Sequence, residues 1–152
     1  MDRIERAANL FTQGYNCSQS VAIAFSDLTG LNVESSAKLA SSFGAGMGCL
    51  REVCGAVSGM FLVLGILYGY SDPEDVQGKR EHYAAVQQLA EKFRAEAGSI
   101  ICREILKNQA ANPTPSLRTE EYYAKRPCVK MVEEAARIWC EYLENIENQP
   151  KE

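Results

Sequence analysis

The sequence predicts an all-α protein, a single helical bundle over residues 1–152 built around a buried apolar helix at about 53–70. Three observations carry this. No stretch alternates apolar and polar residues with period two, so no strand is expected. Apolar residues instead recur at helical spacing, punctuated by glycine and proline. Val53 to Tyr70 carries no charge at all, which supplies the apolar partner that the amphipathic segments need. With 152 residues, 46% hydrophobic and 24% charged, the chain fits one domain with a real core.

Residues 2–13 form a first amphipathic helix, with Ile4, Ala7, Ala8 and Phe11 on one side and Gly14 ending it. A second segment, about 16–29, starts at Asn16 or Ser18 and carries Val21, Phe25 and Leu28 before Gly30. Ser35 or Ser36 caps a short helix running through Leu39 to Phe43. A glycine-rich loop leads into the apolar 53–70 helix. SDPEDV is then a strong start signal: Ser71 or Asp72 as cap, Pro73 in the first turn, and Glu74 and Asp75 facing the positive end of the dipole. That helix should run to Ala97 and stop at Gly98, with Val76, Tyr83, Ala90 and Phe93 on its inner face. Ser99 caps the next helix, about 100–108. The segment NQAANPTPSLRT is a loop whose length points either to mobility or to a covering role. Pro127 opens the last helix, where Val129, Val132, Ala136, Trp139, Leu143 and Ile146 form a narrow apolar seam.

The run 53–70 is at the lower limit for crossing a bilayer, yet it holds four glycines, a serine and a cysteine and has no flanking basic cluster. A core helix and no membrane span are expected. Gly55-x-x-x-Gly59 and Gly65-x-x-x-Gly69 leave strips where another backbone can approach, within the chain or across a homodimer. Each glycine costs roughly 1 kcal/mol of helix propensity against alanine, which close packing would offset. The loop Gly44-x-Gly46-x-Gly48 departs from the dinucleotide fingerprint at Cys49 and follows no strand, so it is a weak phosphate site.

The net charge of −4 gives no general attraction to nucleic acid or anionic lipid. The first residues, MDRIERAANLF, lack the apolar core of a secretory leader, and a reducing cytoplasm is expected. Six cysteines in that setting point to metal binding, catalysis or burial rather than to structural disulfides. Four of them, Cys17, Cys54, Cys102 and Cys128, fall at predicted helix starts, where free N–H groups and the dipole favour a thiolate. The alternative for each is an ordinary buried thiol. Cys140 lies about 18 Å along the last helix from Cys128 and belongs to no shared small site with it. Cys49, five residues before Cys54, is a candidate resolving partner for it provided that it lies in a loop, since on one helix the two would point about 140° apart. His82 lies on the polar side of its helix and reads as solvated. Arg51-Glu52, Arg103-Glu104 and Lys125-Arg126, each next to a cysteine or to the glycine loop, either tune a thiolate or form plain ion pairs.

GYNCSQSV, FGAGMGCLREVCGAVSGMFLVLGILYG, CREIL and CVKMVEEAARI, in that order, resemble the C-GCAxxG-C-C family of small cysteine-rich redox proteins over about residues 16–140. Cys54-Gly55-Ala56-Val57-Ser58-Gly59 fits the CGAxxG core residue for residue, and the four family cysteines fall on Cys17, Cys54, Cys102 and Cys128. The resemblance implies redox activity in the company of oxidoreductases or transporters. Three functions follow as expectations. The first is electron transfer through an iron–sulfur cluster or another thiolate-bound metal held by Cys17, Cys54, Cys102 and Cys128, exchanging with a redox partner protein. The second is thiol–disulfide exchange with Cys54 as the attacking thiolate, needing no cofactor. The third is a non-enzymatic helical interaction module with buried cysteines.

Overall fold

The computed structural model describes residues 2–107 and 113–149. It is all-α: α1 (Arg3–Thr12), α2 (Cys17–Ala24), α3 (Ser26–Thr29), α4 (Val33–Ala40), a 3-10 turn (Ser41–Phe43), α5 (Gly44–Met47), α6 (Gly55–Tyr68), α7 (Val76–Ala97), α8 (Cys102–Leu106), α9 (Glu120–Lys125) and α10 (Cys128–Glu147). Among the described residues the only strand-like feature is an antiparallel bridge between Val53 and Ile101.

The first half of α6 is the centre of the fold. Gly55 to Met60, Val63 and Leu64 are buried, while Ile66 and Tyr68 near its end are exposed. Its close partner is α2. A Cβ added at Gly59 would stand 2.9 Å from both the Ser18 carbonyl oxygen and Val21 Cβ, so only glycine permits this approach. The second glycine strip is not used in the same way, since nothing lies within 4 Å of a Cβ added at Gly65. The α10 seam closes the core through Val132, Ala136 and Trp139. Trp139 is fully buried, and its indole N–H donates to the Met60 carbonyl at 2.8 Å, so its one polar atom is satisfied at the core's centre. No described helix is long and apolar enough to cross a membrane.

Several boundaries differ from the sequence expectation for local reasons. Asn16 is the α2 cap and forms a full capping box with Gln19. Asn32, not Ser35 or Ser36, caps α4; its side chain accepts from the Ser35 N–H at 2.7 Å. Asp75, not Ser71 or Asp72, caps α7 by accepting from Gly78 N–H, because Asp72 to Asp75 is taken up by a turn. The first part of α7 then overhangs the core: Val76 and Tyr83 are exposed, and Leu89, Ala90 and Phe93 form the buried face. The expected 100–108 helix is shorter, with Ser99 accepting from the Ile101 N–H ahead of it; residue 108 lies outside the described residues, as does the 108–112 part of the predicted loop. His82 is half-buried and edge-on to Tyr70 rather than solvated.

Candidate redox site

Four local devices bring four cysteines to one end of the bundle. The α2 capping box starts the helix at Cys17, and a Cβ added at Gly55 would lie 3.1 Å from Cys17 Cβ, so the α6 start sits directly against it. The Val53–Ile101 bridge pairs 51–54 with 100–103: Cys54 N–H donates to Ile100 (2.7 Å), Cys102 N–H to Glu52 (2.6 Å) and Arg103 N–H to Arg51 (3.1 Å). That pairing fixes Cys54 and Cys102 relative to each other. Cys128 follows Pro127 at the start of α10.

Cys17, Cys54, Cys102 and Cys128 all line one cavity of about 270 Å³, together with Cys49, Arg51, Arg118, Tyr122 and Arg126. Among the described residues three arginines and no carboxylate line it, so its wall is electropositive. Arg51 is buried and its Nη1 lies 4.0 Å from the Cys102 sulfur. Arg118 donates to the carbonyls of Phe11 (3.0 Å) and Tyr15 (3.1 Å), and Arg126 donates to Ser116 Oγ (3.1 Å), which ties 116–118 over the cavity. Pro113, Pro115, Ser116 and Arg118 of the predicted loop line this cavity. Cys140 stands elsewhere, in a separate cavity with Arg3 and Tyr68.

The loop feeding this site is strained. Ala45, Gly46, Met47, Gly48 and Cys49 all have positive φ, a left-handed turn closed by Gly48 N–H to Gly44 (2.8 Å) and Cys49 N–H to Ala45 (3.1 Å). Each non-glycine residue in that conformation costs about 1–2 kcal/mol. The turn brings Gly46 so close that a Cβ there would stand 2.6 Å from Cys102 Cβ and 2.8 Å from Arg51 Cα.

The thiols divide sharply in acidity. The neighbouring Cys128 thiol, with burial, pushes Cys17 well up. In return Cys17, helped by the Tyr122 hydroxyl, Arg126 and Arg118 against the cost of burial, brings Cys128 down to about 7. Burial pushes Cys54 up to about 12, although the Ala56 and Val57 N–H groups at the helix start oppose it. Burial also raises Cys102, against Arg51. The helix-start effect expected at Cys54 is therefore present but outweighed, and the acidic thiol of the set is Cys128.

Among the described residues, no three His, Cys, Asp or Glu side chains gather closely enough to hold a single metal ion. The cysteines stand around a cavity rather than around a point. Of the charged neighbours read in the sequence, Arg51 and Arg126 tune thiols, whereas Glu52 pairs with Arg103 (3.0 Å) and Lys125 with Glu121 (2.5 Å). Arg118 and Tyr122 escaped the sequence reading; their only signal was the four-residue spacing of Arg118, Tyr122 and Arg126.

An all-α fold with four cysteines from separate elements on one electropositive cavity defines a small cysteine-rich protein with a shared thiol site. The chain belongs to the C_GCAxxG_C_C family, described as "putative redox-active protein", whose model matches residues 15–142. No curated protein and no solved structure matches it.

Proposed function

We propose that the protein is a redox carrier in which Cys17, Cys54, Cys102 and Cys128 together hold an iron–sulfur cluster and exchange electrons with a redox partner protein. The observation that carries this reading is the placement of four thiols around one cavity walled by three arginines. The donor set fits such a group. Spread thiolates would suit a polynuclear cluster, which takes its cysteine ligands on several iron atoms, better than a single ion, which needs them gathered tightly. A thiolate-ligated cluster is anionic, and Arg51, Arg118 and Arg126 supply the opposing charge. When bound, the cluster supplies one-electron chemistry. The chain's own residues hold it, exclude water with the 116–118 cover, and set its charge environment. Protein purified without oxygen should contain iron and acid-labile sulfide and show visible absorption that bleaches with dithionite. Colourless, metal-free protein from that preparation refutes the reading.

The Cys17–Cys128 contact favours a second reading, a dithiol that cycles through a disulfide. The Cys128 thiolate would attack a substrate disulfide and release one thiolate. Cys17 would then attack the mixed disulfide, so that the two chain thiols give up two electrons and the substrate leaves as two thiols. Cys128, rather than Cys54, is the attacking group in this version. Thiol trapping across a range of potentials should then find Cys17 and Cys128 changing state together; independent behaviour rejects it.

A further inference from the structure

Among the described residues, the two most exposed large apolar side chains both stand at the mouth of the cysteine cavity. Leu117 is 84% exposed and Leu50 is 71% exposed. Neither lines the cavity, but the residues on both sides of each do: Cys49 and Arg51 bracket Leu50, and Ser116 and Arg118 bracket Leu117. At two places on one rim the chain thus turns its neighbours inward and a leucine outward. Neither leucine is carried on loose chain. Cys49 and Arg51 both have left-handed backbone, Leu50 N–H donates to the Met47 carbonyl (3.1 Å), and the Arg51 carbonyl accepts from Arg103 N–H (3.1 Å). Beside Leu117, Ser116 accepts from Arg126, Arg118 donates to the Phe11 and Tyr15 carbonyls, and the Leu117 carbonyl accepts from Thr119 N–H (3.1 Å). Holding an apolar side chain in water on a strained turn adds nothing to stability. Pre-set apolar anchors on one rim are what a docking surface needs.

The charge around these anchors defines what they fit. The three segments at the mouth, 44–55, 102–107 and 113–128, carry six basic residues and four acidic ones, in a chain whose net charge is −4. Two of those acids, Glu52 and Glu121, are paired with Arg103 and Lys125. Arg118 and Arg126 are held by carbonyl and hydroxyl oxygens, which do not cancel their charge. We propose that this rim docks the redox partner, and that the partner is an acidic electron-carrier protein. Its carboxylates meet the basic residues of the mouth, and its apolar centre covers Leu50 and Leu117. This rests on the redox reading above. An apolar centre within a polar rim is the usual anatomy of an interface, and electron-transfer contacts are small. Electron transfer falls off steeply with distance, so a carrier seated at this mouth stands where exchange with the cysteine site is fastest. A second copy of this chain meeting the rim through its own rim would set basic residues against basic ones.

Stopped-flow electron exchange between the anaerobically purified protein and an acidic plant-type [2Fe–2S] ferredoxin, followed in whichever direction is downhill, tests this. The second-order rate constant should fall as ionic strength rises, because the local basic rim attracts the carrier; the net charge of −4 alone would make it rise. Leu50→Ser and Leu117→Ser should each lower it about five- to tenfold. Iron content and the reduction midpoint in potentiometric titration should stay at wild-type values in both. Val76→Ser removes another exposed apolar side chain, at the α7 start and outside the cavity lining, and should leave the rate constant in place. A rate constant that is flat or rises with salt, or that either leucine substitution leaves unchanged, overturns the proposal while leaving the redox reading standing. So does a dimer in analytical ultracentrifugation that both leucine substitutions break, since the occupant of the rim is then a second copy. Wild-type protein with neither iron nor an absorption bleached by dithionite overturns both.

Discussion

The start and the middle of α10 each carry a cysteine, in different surroundings. At its start, Cys128 faces a cavity with Cys17, Tyr122, Arg118 and Arg126 around it, and its thiol is brought down to about 7. Three turns later Cys140 sits half-buried, burial pushes its thiol up, and its neighbour Trp139 is locked into the core through Met60. The residue type is the same, and the helix is the same. What differs is the charge around the thiol: the cavity at Cys140 holds Arg3 together with Glu144 and Glu147, whereas the cavity at Cys128 is lined by three arginines and, among the described residues, by no carboxylate. The cavity end is also where the chain accepts left-handed backbone at Ala45, Met47 and Cys49. A protein that packs its core this tightly has no need of such a loop for stability, so the strain belongs with the site.

The sharpest way to separate the two regions is to damage each alone. Trp139→Ala should cost about 3–5 kcal/mol in urea unfolding, because it removes the largest buried side chain and its bond to the Met60 carbonyl. Gly46→Ala should cost less, about 2–3 kcal/mol, through backbone strain and collision with Cys102 and Arg51. Yet it should remove the redox signal of the folded protein, which spectroscopy of the refolded variant would show. If Gly46→Ala keeps a wild-type midpoint, the left-handed turn does not shape the site.

Acidity gives a subtler contrast. In metal-free reduced protein, alkylation of Cys128 should rise with pH about a midpoint near 7, whereas Cys54 should not ionise until about 12. Cys17→Ala removes the largest cause of the lowered Cys128 value, leaving burial to push the midpoint upward. The linked effect on stability has a definite sign. A lowered thiol contributes stability that is complete above its unfolded value near 9 and is lost as pH falls through about 7. The raised Cys17 works against stability only above its own unfolded value near 9, so between 7 and 9 the Cys128 effect decides and stability should rise with pH. A flat or falling profile there, or a Cys128 midpoint near 9, would contradict the assigned pair. The smallest effect belongs to Cys140→Ser, which should cost about 1 kcal/mol or less and leave the midpoint unmoved.

The same contrast explains what the sequence disclosed. Helix starts are local events, governed by a cap and three or four neighbours, so Cys17 and Cys128 could be placed from Asn16 and Pro127 alone, whereas the α8 start at Cys102 is capped by Ile101 and not by the expected Ser99. The close approach at Gly55 and Gly59 was legible as a spacing, though the spacing alone did not show that Gly65 stays open. The 51–54 and 100–103 pairing was not legible, since two or three residues are too few to show period two. Arg118 was hidden for another reason: a loop arginine becomes part of a site only through where Phe11, Tyr15 and Tyr122 stand in space. Acidity followed the same rule. The dipole at Cys54 could be read from position, but the burial that outweighs it is a property of the assembled core.

The central claim is that Cys17, Cys54, Cys102 and Cys128 act as one redox unit, distinct from the other two cysteines. Iron and acid-labile sulfide per chain, measured on six single Cys→Ser variants purified without oxygen, test it most directly. The account predicts that the variants at 17, 54, 102 and 128 each lose most of both, while Cys49→Ser and Cys140→Ser stay at the wild-type level. Equal content across all six variants, or loss confined to Cys49→Ser or Cys140→Ser, would contradict it.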